Sequence, residues 1–242
     1  MNVATRDEFI YHEMICNMPM MIHPNPQRVL IIGGGDGGSA RECMRHQPLE
    51  KLVMIDIDGV VVNECEKHMP SLSAGAFKDE RMELIIGDGI DYVKKAADKS
   101  FDVIIVDSTD PIPDSCGEVL FSDDFYENCN RIMSDNGVII TQSVMPMRYD
   151  STIYNNAIST LQRAFTKDRT YVCLVPTESY NGCTSFGLCF KGDSHPSKVD
   201  KARIDEFETK NNLKYYNYKI HHASISLPNY LKDTLGIRNK EE

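Results

Sequence analysis

What this chain lacks narrows it first. Nowhere do about 18 apolar residues run together, so no membrane-crossing helix is expected. The opening residues, Met1-Asn2-Val3-Ala4-Thr5-Arg6-Asp7-Glu8, lack the basic-then-apolar order of a secretory leader, and a cytoplasmic location is the expectation. The eight cysteines contain no C-x-x-C pair. Neither a zinc site nor a dithiol redox centre is therefore expected, and no metal. Several cysteines, such as Cys173 within Tyr171-Val172-Cys173-Leu174-Val175, read as small buried hydrophobes. There is no excess of base: the formal net charge of -10 argues against nucleic acid, whose phosphates need a basic face. A cationic substrate suits that charge, though a solvated acidic surface is the commoner explanation. No internal repeat or low-complexity tract occurs.

What is present is an alternation of short apolar runs with helical segments. The 242 residues, 41% hydrophobic, are enough for one substantial core. Strands are expected at Arg28–Ile32, Lys51–Ile55, Met82–Ile86, Phe101–Val106 and Gly137–Thr141, of the continuous apolar type found in parallel sheets. Helices are expected at Ser39–Arg45, Gly59–His68 (Val60, Val61 and Cys65 towards the sheet), Ile90–Ala97, from a cap at Ser122 to about Met133, and Ser151–Phe165. Two further strands, Thr170–Val175 and Thr184–Phe190, read as an antiparallel pair at the sheet edge. Surface helices are expected at Lys201–Lys210 and Pro228–Leu235. The fold class is thus α/β: a doubly wound, Rossmann-like sheet, mostly parallel with an antiparallel edge. One catalytic domain over residues 1–242 is expected, with a lead-in of about 24 residues and a helical extension from 198 to 242.

Ligands of such sheets bind beyond the carboxyl ends of the strands. Four acids fall at or just after those ends: Asp36, Asp56, Asp88 and Asp107. Gly33-Gly34-Gly35-Asp36-Gly37-Gly38 matches the dinucleotide fingerprint, through Gly33 and Gly35, but that match alone is weak. Asp36 would repel a pyrophosphate and favour a cationic group, which turns the expectation from NAD to an adenosyl-sulfonium cofactor. Asp56, about 20 residues beyond the loop, suits ribose hydroxyls. Asp58 is its neighbouring alternative, and either could instead cap the next helix. Asp88-Gly89 suits an adenine amino group or, equally, a helix cap. Asp107-Ser108-Thr109-Asp110 offers two carboxylates able to hold one ammonium and act as base to another amine.

At this point the chain resembles a known family, the polyamine aminopropyltransferases, and among them chiefly the spermidine synthases. The resemblance rests on Arg6-Asp-Glu-Phe-Ile-Tyr-His-Glu-Met14, Val29-Leu-Ile-Ile-Gly-Gly-Gly-Asp-Gly-Gly38, Gly87-Asp-Gly89 and Asp107-Ser-Thr-Asp-Pro111. Leu120-Phe121, Leu213-Lys-Tyr-Tyr-Asn217 and Leu227-Pro228 follow in family order. It implies transfer of an aminopropyl group from decarboxylated S-adenosylmethionine, the co-substrate, to a small cationic amine such as putrescine, giving spermidine and methylthioadenosine. No prosthetic group is implied. The resemblance gives Asp107 as base, and Tyr11, Asp110 and Tyr180 beside the acceptor. Gly33, Gly35, Asp36, Asp56, Asp88, Gly89 and Ser108 would lie along the donor. His12 lies beside nucleoside or acceptor, or is structural.

Three departures qualify it. The usual small N-terminal β domain has no counterpart before the matching region, which reads as a truncated form, a split gene or dependence on a partner chain; a homodimer or partner-dependent oligomer is the expectation. The loop after Asp110-Pro111 reads Ile112-Pro113-Asp114-Ser115-Cys116-Gly117-Glu118 and differs from the family's. Pro176-Thr177-Glu178-Ser179-Tyr180 stands where the family often has Pro-Thr-Tyr, so Tyr180 supplies the ring or Glu178 replaces it with a charge. Two alternatives stand beside the leading reading: a small-amine methyltransferase using S-adenosylmethionine, and a non-catalytic partner subunit. Tyr215 and Tyr216 are read as packing, and His221 and His222 as surface or core residues.

Overall fold

The structure, a computed structural model, describes residues 4–109, 118–143, 151–180 and 182–236, and of Glu118, Ser151 and Tyr180 the backbone only. In chain order the elements are α1 (Glu8–Ile22), β1 (Arg28–Gly33), α2 (Gly38–Met44), β2 (Lys51–Asp56), α3 (Gly59–His68), α4 (Pro70–Ser73), β3 (Met82–Ile86), α5 (Gly89–Lys95), β4 (Phe101–Asp107), α6 (Asp123–Ile132) and β5 (Met133–Ser143). They continue with α7 (Ser151–Phe165), β6 (Thr170–Val175), β7 (Thr184–Phe190), α8 (Lys201–Asn211), α9 (Tyr218–Ile225) and α10 (Asn229–Thr234).

Among the described residues seven strands form one sheet in the order β3-β2-β1-β4-β5-β7-β6. All pairings are parallel except those of β7, which runs antiparallel to β5 and β6. Strand order reverses between β1 and β4, so their carboxyl ends, Gly33 and Asp107, flank the crevice where this sheet type takes ligands.

Alternation along the strands sends side chains into two cores. Val29, Ile31, Leu52, Met54, Val103 and Ile105 pack with α1, α2 and α8 on one face. Leu30, Ile32, Val53, Ile55, Ile104 and Val106 pack with α5, α6 and α7 on the other. Ser122 accepts the N–H of Phe125 and caps α6 as its sequence suggests. Among the described residues no helix is long and apolar enough to cross a membrane. Of the described cysteines six are buried and Cys183 is half-buried, all as free thiols, while Cys116 lies outside the described residues.

Within the lead-in segment, α1 buries 13 of its 15 residues and packs across the sheet beside α2. A helix buried on every side carries no apolar stripe for the eye to follow. In α3, Val60 and Val61 do not face the sheet; they are 70% and 43% exposed, and Val62 and Cys65 turn inward instead. Asp58 caps the N–H groups of Val60 and Val61, so this first turn stands beyond the sheet, over the crevice. The helix Tyr218–Ile225 was not expected either.

Candidate active site

The turn from β1 to α2 is tight and glycine-built for steric reasons. Gly33 has φ +85°, and a Cβ there would meet the Asp107 carbonyl oxygen at 2.2 Å. The Gly34 N–H instead donates to that oxygen at 3.0 Å, locking the turn onto the end of β4. Gly38 starts α2 flat against the His12 ring, where a Cβ would stand 2.3 Å from Cε1. The glycines therefore seat α1, α2 and β4 around one point.

At that point lies Asp107, 8% exposed. The Tyr11 hydroxyl donates to its Oδ1 at 2.6 Å and the Ser39 hydroxyl to its Oδ2 at 2.6 Å. Burial pushes its pKa up and the charge of Asp36 adds to this, while His12, Ser39 and Tyr11 partly offset both. Asp36 behaves oppositely. Burial opposes its ionisation, but His12 and the Gly38 N–H, which donates to Oδ1 at 2.7 Å, outweigh that and hold the carboxyl below its usual range.

His12 mediates between them. Its Nδ1 lies 2.5 Å from Glu8 Oε2 and its Nε2 lies 3.4 Å from Asp36 Oδ1. Ionised carboxylates only accept, so a carboxylate beside each ring nitrogen favours a proton on both, the imidazolium form. Burial alone would lower its pKa; Asp36, Glu8 and Asp107 outweigh it and raise it to about 10. Glu8 is in turn gripped by Arg41, at 2.9 and 3.2 Å. Burial disfavours its charge, yet His12 and Arg41 bring it down to about 2. A chain of alternating charge, Arg41–Glu8–His12–Asp36, so ends at the crevice.

This chain sets a pH window for stability. His12 has a folded value raised from 6.5 to about 10, so its contribution is fully present below pH 6.5 and lost as pH rises towards 10. Glu8, depressed from 4.5 to about 2, contributes fully above pH 4.5 and loses that as pH falls towards 2. Melting curves from neutral pH to about pH 10 should therefore fall more steeply for the native chain than for His12→Gln; parallel curves would contradict the imidazolium.

The other expected residues divide. Asp56 lies at the end of β2 and accepts, at 2.8 Å on Oδ1, the N–H of Asp58. Burial, with smaller contributions from the charges of Asp58 and Asp36, raises its pKa. Asp58 caps α3, which separates the two acids. Asp88 caps α5 through the Ile90 N–H at 2.8 Å and is exposed at the end of β3. Gly89 is buried against Ile32. Ser108 is half-buried, its hydroxyl donating to the Thr109 carbonyl at 3.3 Å. Asp110 and the loop up to Gly117 lie outside the described residues, as does the Tyr180 side chain. The turn Glu178–Tyr180 is tied to the start of α1 by the Ser179 N–H, which donates to Asp7 Oδ2 at 2.9 Å.

Glu8, Ser39 and Arg41 escaped the sequence reading. Glu8 is four residues before His12, a helical neighbour, but that signal exists only once α1 is seen as a helix. Also missed was an apolar patch, Ile57, Val60, Val61 and Ile86, exposed beside Asp56 and Asp88. Behind the site, Glu13 accepts the N–H groups of Lys214, Tyr215 and Tyr216 at 2.8–2.9 Å. This explains the Leu213–Asn217 motif as a clasp on α1. His221 is core: Nε2 donates to the Pro196 carbonyl, Nδ1 accepts the Tyr216 hydroxyl, and burial lowers its pKa to about 4.

Comparison with known proteins places the chain in a family. Residues 8–198 match the model of the spermine/spermidine synthase domain. The polyamine aminopropyltransferase of Thermotoga maritima is 38% identical over 232 residues, 96% of this chain and 76% of that protein. That of Sodalis glossinidius is 41% identical over 235 residues, 96% and 79% of the two chains. A crystal structure of spermidine synthase with the transition-state analogue AdoDATO superposes with a TM-score of 0.90 at 39% identity, covering 98% of this chain and 78% of that one. Fold and sequence agree, and the chain belongs to the spermine/spermidine synthase family, as a polyamine aminopropyltransferase.

Proposed function

We propose that the chain moves the aminopropyl group of decarboxylated S-adenosylmethionine to putrescine, forming spermidine and methylthioadenosine. The observation that carries this is the pair Asp36 and Asp107: two carboxylates on one crevice, one held ionised, the other buried with a raised pKa. Divergent environments for two acids are the mark of divided roles.

Asp36 receives the ammonium of the aminopropyl arm; the contacts that His12 and Gly38 make with it both fall on Oδ1. Asp56 takes the ribose hydroxyls and Asp88 the adenine amino group, with Val60, Val61 and Ile86 as the apolar wall for the purine face. Gly33, Gly35, Gly89 and Ser108 line the donor. Tyr11, Asp110 and Tyr180 border the acceptor. Asp107 removes a proton from the acceptor's ammonium. The freed nitrogen lone pair attacks the methylene next to the sulfonium, and the C–S electrons return to sulfur, leaving a neutral thioether. Position, a free lone pair and an acidic field supply the acceleration.

The donor preference follows from charge. S-adenosylmethionine carries a carboxylate beside its amine, which Asp36 repels. Thermal shift should show greater stabilisation by the decarboxylated form, about 2.7 kcal/mol at a hundred times its Kd. Asp36→Asn should narrow the gap between the two. Equal stabilisation of the native chain by both would remove the charge argument. Product analysis with the decarboxylated donor and putrescine, agmatine, cadaverine and spermidine tests the acceptor; no spermidine from putrescine would overturn that assignment.

A further inference from the structure

We infer that Ser39 is a positioning residue of the transfer, whose hydroxyl works with that of Tyr11 to fix the Asp107 carboxylate and favour its ionised form. The inference rests on the reading of Asp107 as the base.

Ser39 is the second residue of α2, wholly buried, and 68 positions from Asp107 in sequence. The glycine turn brings it there, by folding the start of α2 back onto the end of β4. Its hydroxyl reaches Asp107 Oδ2 at 2.6 Å while that of Tyr11 reaches Oδ1 at the same distance. Two O–H donors at this separation are strong, charge-assisted bonds. Each occupies one lone pair of its oxygen, so the carboxylate cannot rotate, and the remaining lone pairs stay open to an amine.

Donors of this kind are needed because the surroundings oppose ionisation. Among the described residues, the charged or titratable groups that act on Asp107 most are Tyr11 and His12 on α1 and Asp36 in the loop after β1. Neighbouring β5 ends in Thr141, Gln142 and Ser143, none of them ionisable. Burial and Asp36 favour the neutral acid, and Ser39, Tyr11 and His12 oppose them. Without the Ser39 hydroxyl the balance tips towards protonation, and Asp107 Oδ2 loses its anchor.

The test compares pH profiles of kcat/KM for the native chain, Ser39→Ala and Ser39→Thr, with the same donor and acceptor. The acceptor's own titration is common to all, so a difference isolates the enzyme group. For Ser39→Ala the acid limb should move to higher pH by about one unit, a roughly tenfold loss on that limb, with a plateau within a few-fold of native. Ser39→Thr keeps the hydroxyl and should restore the native limb. Donor-induced thermal shift confirms that each variant is folded. An unmoved limb in folded Ser39→Ala overturns the inference, provided that Asp107→Asn, run alongside, is inactive. Near-native turnover in Asp107→Asn would instead remove the base reading itself.

Discussion

Asp107→Asn is expected to lower kcat by about a thousandfold while leaving donor affinity within a few-fold of native. The substitution preserves shape and removes the proton acceptor. An amide nitrogen has no basic lone pair, so the acceptor amine stays protonated and cannot attack. Melting temperature should not fall with activity. Asp107 is buried, with Asp36 adding to the burial that raises its pKa, so the native carboxylate is a site of unfavourable electrostatics whose removal should not destabilise the fold. Loss of activity with an unchanged or raised melting temperature distinguishes a chemical role from a structural one. Single-turnover kinetics beside a thermal melt provide both readings. Turnover within tenfold of native would sink the assignment.

Glu13→Ala is expected to carry the largest stability cost, about 3 kcal/mol, or roughly 6–12 °C in melting temperature for a chain of this size. Glu13 is 2% exposed, and its carboxylate takes three backbone N–H groups from residues 214–216. Removing it leaves those donors, the Tyr216 N–H buried and the other two part-buried, without their acceptor, since a methyl group offers none. The damage should also reach the site. Glu13 follows Tyr11 and His12 on α1, and the clasp it makes holds the helix register that sets Tyr11 on Asp107 and His12 on Asp36. Glu13→Gln keeps one carbonyl oxygen and should cost less than half as much. Urea unfolding measures both; a loss below 1 kcal/mol in Glu13→Ala would show that water replaces the carboxylate.

The five central strands were legible because each is an apolar run short enough to cross a covered sheet once. The acids at their ends were legible for the same reason: where the run stops, the chain leaves the core. Helix α1 was not legible, because burial on all sides erases the period that marks a surface helix. Val60 and Val61 were assigned to the core because they are apolar, yet their turn projects past the sheet. Apolarity alone does not say which way a side chain turns; the cap that Asp58 makes on this turn does.

The sequence by itself determined the doubly wound α/β class, the glycine turn, and the acids Asp36, Asp56, Asp88 and Asp107 along one edge of the sheet. These are local properties, set by hydrophobic period and by the residues next in line. Only the tertiary structure decided what each acid is. Asp107 meets Tyr11 from 96 residues away and Ser39 from 68, and Asp36 meets His12 at the end of a chain running through Glu8 to Arg41. The pKa of a carboxylate depends on burial and on charges within a few ångströms, whatever their distance in sequence. The strand ends therefore mark the crevice, and packing alone separates the acid held ionised from the one whose pKa is raised.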